Sequence, residues 1–172
     1  MKNVFLIAVF LVLIVASSSL AEPSGISRTS EQTKFSAEDS GLRNPIPIPK
    51  DVLALLIRDK GVQDELEYDH LSVEKLPTSW FSASTIHLSA SDKPSIIVQA
   101  EGPLLGANVT TFWVFNTTAR GHELVLTASA HHLIVKNKRW KGYRVIELVS
   151  MTAVQVSTGI YRFNGTQYLK IR

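Results

Sequence analysis

The stretch Val156-Ser157-Thr158-Gly159-Ile160-Tyr161-Arg162-Phe163-Asn164-Gly165-Thr166-Gln167-Tyr168-Leu169-Lys170-Ile171-Arg172 decides the fold class. Tyr161 and Phe163 alternate with Arg162, the period-2 pattern of a half-buried strand. Asn164-Gly165 is the strongest hairpin dipeptide in the chain, because a tight hairpin turn needs φ > 0 and glycine adopts it without a Cβ clash. The same texture repeats upstream. His131–Lys136 and Tyr143–Val149 flank a turn at 137–142. Val109–Phe115 and His122–Thr127 flank one at 116–121. Ser84–Leu88 and Ser95–Gln99 flank one at 90–94. Val145 and Glu147 alternate with Ile146 and Leu148. About eight strands in successive hairpins follow from this pattern.

Before these strands the period changes. Pro45-Ile46-Pro47-Ile48-Pro49 is an extended, stiff segment, since each proline disfavours helix in the residue before it. Pro49 suits the first turn of a helix. Val52, Leu53, Leu55 and Leu56 follow at near-helical spacing, with charged residues outside the stripe. Gly61 caps or breaks this helix, and a second short turn runs from Val62 to Glu67. The fold class is α+β, mainly β: a short N-terminal helix packed on a curved antiparallel meander of about eight strands. The expected core is Leu53, Leu56, Ile97, Phe112, Val114, Leu124, Leu126, Leu133, Val135, Ile146, Leu148 and Ile160, with Tyr161 or Phe163.

Residues 1–21 read as a cleavable signal peptide. Lys2 supplies the positive start, Val4 to Val15 the apolar run, and Ser19 and Ala21 the small residues before the cut. The apolar run is shorter than the roughly 18–20 residues that span a bilayer, so no stable membrane span is expected after cleavage. The chain is therefore expected to be exported, periplasmic or extracellular. Residues 22–46 are rich in Ser, Thr, Glu, Gln and Pro and read as a flexible leader. Residues 47–172 then make a single globular β-rich domain. The chain has no cysteine, which excludes lipid attachment through a cysteine after the signal. A formal net charge of +3 points to no nucleic-acid partner.

Trp80-Phe81, Gly106-Ala107-Asn108-Val109, Phe112-Trp113-Val114-Phe115, Glu123-Leu124-Val125-Leu126, Gly142-Tyr143-Arg144 and Tyr161-Arg162-Phe163-Asn164-Gly165 with Tyr168 occur in this order. In that order they resemble a family of small exported bacterial proteins of unknown function. Those proteins carry a strand-turn-strand unit of the FG-GAP or VCBS kind. The resemblance implies a fold, not an activity. The family's turn resembles Asp-x-Asn-x-Asp-Gly, which holds calcium through oxygen ligands. Here the matching stretch, His87 to Pro94, keeps one carboxylate, Asp92, beside Lys93. That loop is degenerate, and no metal and no cofactor are expected.

The candidate sites are few. Adjacent His131 and His132 point to opposite faces of a strand and cannot hold one metal together. After Trp80 the acids are Asp92, Glu101, Glu123 and Glu147, scattered over different hairpins rather than paired for acid–base work. The densest basic and aromatic cluster is Lys138, Arg139, Trp140, Lys141, Tyr143 and Arg144. It is the candidate binding set, suited to an anionic polymer. The three Asn-x-Ser/Thr sequons at Asn108, Asn116 and Asn164 are glycan acceptors only in a eukaryotic secretory pathway. Together these features suggest an exported, non-catalytic interaction module of the cell envelope, protein-binding or inhibitor-like. A module for glycan or another anionic envelope polymer is the alternative, and a hydrolase with an unrecognised site the third. The partner is thus an unknown protein or an envelope polysaccharide.

Overall fold

The computed structural model describes residues 31–39, 41–91 and 93–171. The signal reading, the start of the leader and Asp92 lie outside the described residues. Among the described residues nine strands and two α-helices follow one another: β1 (Lys34–Ser36), α1 (Lys50–Leu56), α2 (Lys60–Tyr68), β2 (Phe81–Ile86), β3 (Ser95–Ala100), β4 (Thr110–Thr118), β5 (Gly121–Ala130), β6 (His132–Trp140), β7 (Tyr143–Met151), β8 (Val156–Phe163) and β9 (Tyr168–Lys170). All pairings are antiparallel. One sheet has the order β2-β3-β4-β5 and the other β1-β6-β7-β8-β9. The mainly β, α+β class is correct, and each of the eight expected strands is present. None of the described helices is long and apolar enough to cross a membrane.

The meander is folded into layers because its middle strands are apolar on both sides. In β3 every residue from Ser95 to Ala100 is buried. Ile97 joins Phe112, Val114, Leu133, Val135, Ile146 and Leu148 between the two sheets. Ile96 and Val98 join Trp113 and Phe115 on the opposite face, where Val52, Leu56, Val62 and Leu66 of the helices cover them. A strand covered on both faces reads as a continuous apolar run instead of an alternation. The result is three layers: helix pair, four-stranded sheet, five-stranded sheet.

The helix break differs from the expectation. Gly61 neither caps nor breaks α1; it lies inside α2. Asp59 starts the second helix, its Oδ1 accepting from the backbone N–H of Gly61 at 2.9 Å and of Val62 at 3.4 Å. This is ordinary N-capping by a short acidic side chain. Its Oδ2 accepts from Trp113 Nε1 at 2.9 Å. One carboxylate thus caps the start of a helix and satisfies the buried indole of the sheet beneath.

The leader reading fails over its described part. One compact unit begins at Glu31, well before Pro47. Lys34–Ser36 pair with β6, and Phe35 stands opposite Leu133, fully buried between the sheets. Gln99 Nε2, itself buried in β3, donates to Ser36 O at 3.1 Å. A polar composition misses this because one aromatic side chain and one edge of hydrogen bonds are enough to dock a short strand onto an existing sheet.

Leu124 and Ile160 are the errors in the expected core: Leu124 is 42% exposed while Val125 is buried, and Ile160 is only half-buried and belongs to neither core cluster. Val114 pairs with Leu126 and Phe115 with Leu124, leaving Val125 as the extra residue of a bulge. A bulge inverts the in–out sense of a strand beyond it, which no count of alternation can foresee.

The last hairpin also differs in detail. Its turn has four residues, since Phe163 pairs with Tyr168. Asn164 Oδ1 accepts from Thr166 N at 2.8 Å and Gln167 N at 2.9 Å, while Gly165 holds φ +117. Gly165→Val is therefore expected to cost about 1–3 kcal/mol of strain, read as a fall in urea midpoint. Gly41, between β1 and α1, also has a positive φ, +123. Its valine variant is expected to be strained too, and an unchanged midpoint for Gly165→Val would remove the turn's role in register.

Candidate interaction face

The basic cluster is a tight hairpin. Trp140 pairs with Tyr143 and Arg139 with Arg144, leaving a two-residue turn at Lys141-Gly142. Both turn residues have positive φ, 49° and 83°, the mirror-image turn that matches strand twist. The expected turn at 137–142 is thus shorter than its polar composition suggests, because β6 runs on to Trp140.

The structure does not keep the six candidate residues together. Arg144 is buried, 6% exposed. Its Nε donates to Lys136 O at 2.9 Å, and its Nη2 to Val135 O at 3.0 Å and Asn137 Oδ1 at 3.1 Å. Its Nη1 donates to Glu31 Oε2 at 2.7 Å. Every arm of the guanidinium is committed, so Arg144 is a clamp and not a ligand contact. Arg139 Nη1 donates to Gly142 O at 2.9 Å and so braces its own turn. Tyr143 packs against Phe163, ring centroids 4.2 Å apart, at the margin of the inter-sheet core. Lys141 sits in the turn, its backbone in the left-handed region.

Lys138 and Trp140 belong together on the outer face of the five-stranded sheet, and they gain a residue that the cluster did not contain. Arg162 of β8 lies over the Trp140 ring, its Cζ 4.3 Å from the centroid, a cation–π geometry. Trp140 remains 43% exposed. Beside this pair Lys136, Lys138, Val145, Ile160, Arg162 and Ile171 line a shallow groove of about 230 Å³. Lys136 is partly neutralised by Glu147, Nζ to Oε2 at 2.9 Å. Neither Lys138 nor Arg162 has an ion-pair partner among the described residues. The sequence signal for Arg162 was its position opposite in phase to Tyr161 and Phe163. What a linear reading lacked was the side-by-side order of β6, β7 and β8.

The other candidate groups are dispersed or structural. His131 is buried and its Nδ1 accepts from Met151 N at 3.0 Å; it marks the corner where the chain leaves the first sheet for the second. Trp113 is buried beneath the helices. Glu123 lies in β5 near Arg120, Glu147 in β7 against Lys136, and Glu101 follows β3. Among the described residues no three His, Cys, Asp or Glu side chains are grouped as a metal site.

Two carboxylates tie distant segments to the sheets. Glu31 accepts from the His87 backbone and ring and from Arg144. Burial pushes its carboxyl up, but these bonds outweigh it and hold the group below its ordinary range. Asp51 of α1 accepts from His122 Nδ1 at 2.8 Å and His122 N at 3.0 Å, and these bonds lower it likewise. A carboxyl depressed by partners of the folded state contributes stability that is present above its unfolded value. That stability is lost as pH falls through the folded value. Stability is therefore expected to be flat down to about pH 5 and to fall below about pH 4.5, where the unfolded carboxyls begin to take up protons first. Urea midpoints between pH 3 and 6 measure this, and Glu31→Gln should shallow the slope. An acid limb of equal slope in Glu31→Gln would remove Glu31 from the account.

Fold and face together define a three-layered, mainly β domain with a basic, aromatic sheet surface. No family model, no curated protein and no solved structure matches the chain.

Proposed function

We propose that this protein is an exported, non-catalytic interaction module of the cell envelope, and that its partner binds on the outer face of the five-stranded sheet. The observation that carries the reading is Trp140, half-exposed on a rigid pair of strands and backed by Arg162 at 4.3 Å. Large aromatic side chains beside arginine are what interaction surfaces use to gain energy from few residues. β6 and β8, joined through β7, hold them on the sheet, so little ordering is needed on binding. The resemblance to small exported bacterial proteins with strand-turn-strand units belongs to the same proposal. The separation of Glu101, Glu123 and Glu147 favours it over a hydrolase.

The test compares wild type with Trp140→Ala as immobilised bait in envelope extract, with bound material identified by mass and by sugar analysis. A component retained by wild type and lost from Trp140→Ala is expected. An identical set of bound components for both overturns the placement of the face.

A further inference from the structure

We infer that the groove beside Trp140 binds an acidic polysaccharide, a chain of sugar rings bearing carboxylate or sulfate groups; this rests on the interaction-module reading above. Three features of the groove select that chemistry. The first is its charge. Lys136, Lys138 and Arg162 line it, and Glu147, the acid paired with Lys136, is already held by it. Lys138 and Arg162 thus offer charge to a ligand, and the floor of Val145, Ile160 and Ile171 lowers the screening around them.

The second feature is the ring. Trp140 has one face covered by Arg162 and is still 43% exposed. An indole presents an apolar plane that sugar C–H groups can stack on, next to cations that meet the acidic substituents. The third is arrangement. Lys136, Lys138 and Trp140 follow one another along β6 across an irregular stretch between Val135 and Arg139, and Arg162 of β8 stands against the same groove and over Trp140. An extended polymer lying along the strand meets them in turn. A folded protein partner fits less well, because lysine is depleted from the centres of protein–protein interfaces and here two lysines line the groove.

Purified protein is titrated with heparin, polygalacturonate, neutral dextran and poly-L-glutamate. Binding to heparin and polygalacturonate, and not to dextran, is expected. With two cations that have no ion-pair partner among the described residues, each releasing about one counterion, affinity should fall about tenfold between 50 and 200 mM salt. Lys138→Ser with Arg162→Ser should abolish that salt dependence together with most of the binding. Trp140→Ala should weaken binding about tenfold at every salt concentration, since stacking is not screened. Arg120→Ser, a cation lost from the other sheet, should bind as wild type does. Thermal melts of each variant establish that the fold is intact. Equal or tighter binding of poly-L-glutamate overturns the sugar assignment and leaves the interaction face standing. Absence of binding to either acidic polysaccharide, or binding that none of the groove variants changes, overturns the proposal. The interaction-module reading fails separately, when Trp140→Ala also leaves the envelope capture unchanged.

Discussion

Phe35→Ala is expected to destabilise the protein by about 3–5 kcal/mol, the cost of removing a phenylalanine from a closed core. The residue sits in a three-residue strand, within a segment whose composition is that of a tether. Yet its side chain is fully buried, against a cluster that includes Leu133 and Ile97. Removing the ring leaves a cavity where two sheets meet, and both sheets are pinned by their own hydrogen bonds, so collapse around it is restricted. For a unit of this size the change corresponds to a loss of roughly 10 °C in melting temperature. Urea or thermal unfolding measures it. A chain beginning at Pro47 should be weaker still, because it also loses the Gln99–Ser36 and Arg144–Glu31 contacts. Unchanged stability in Phe35→Ala would return residues 31–46 to the status of a leader.

Arg144→Ala is expected to cost about 3 kcal/mol. The substitution strands the carbonyls of Val135 and Lys136 and removes one of the partners of Glu31. A buried pair broken on one side costs about 3–5 kcal/mol. Glu31 is partly hydrated, with 29% of its side chain exposed, which places the value at the lower end. Arg144→Lys should recover only part, because one ammonium cannot span carbonyls and carboxylate the way a planar fork does. Hydrogen exchange gives a second readout: protection of β1 should drop along with global stability. If Arg144 were instead a ligand contact, Arg144→Ala would keep its melting temperature and lose polysaccharide binding alone.

These two residues show why the sequence reading was right about architecture and partly wrong about the site. Arg144 looked like one member of a basic cluster because its neighbours in sequence are basic. In a strand, neighbours in sequence point to opposite sides. Lys138 and Trp140 point outward, Arg144 inward. Arg162, the missing member of the face, is distant in sequence and adjacent in the sheet.

Strand periodicity, turn dipeptides and the apolar stripe of α1 are local properties, set by a few neighbouring residues, and they were enough to determine eight strands, a helical start and a mainly β class. Tertiary structure alone decided the rest. It folded one meander into two facing sheets, since β3 and β4 carry apolar side chains on both sides and each side must be covered. It recruited Lys34–Ser36 as a ninth strand, because an open sheet edge and a pocket for Phe35 exist only once β6 is in place. It turned Val125 inward and Leu124 outward through a bulge. And it divided a run of cations between a buried clamp and an open groove, because burial and hydrogen-bond partners are properties of the assembled sheets and not of the residues in line.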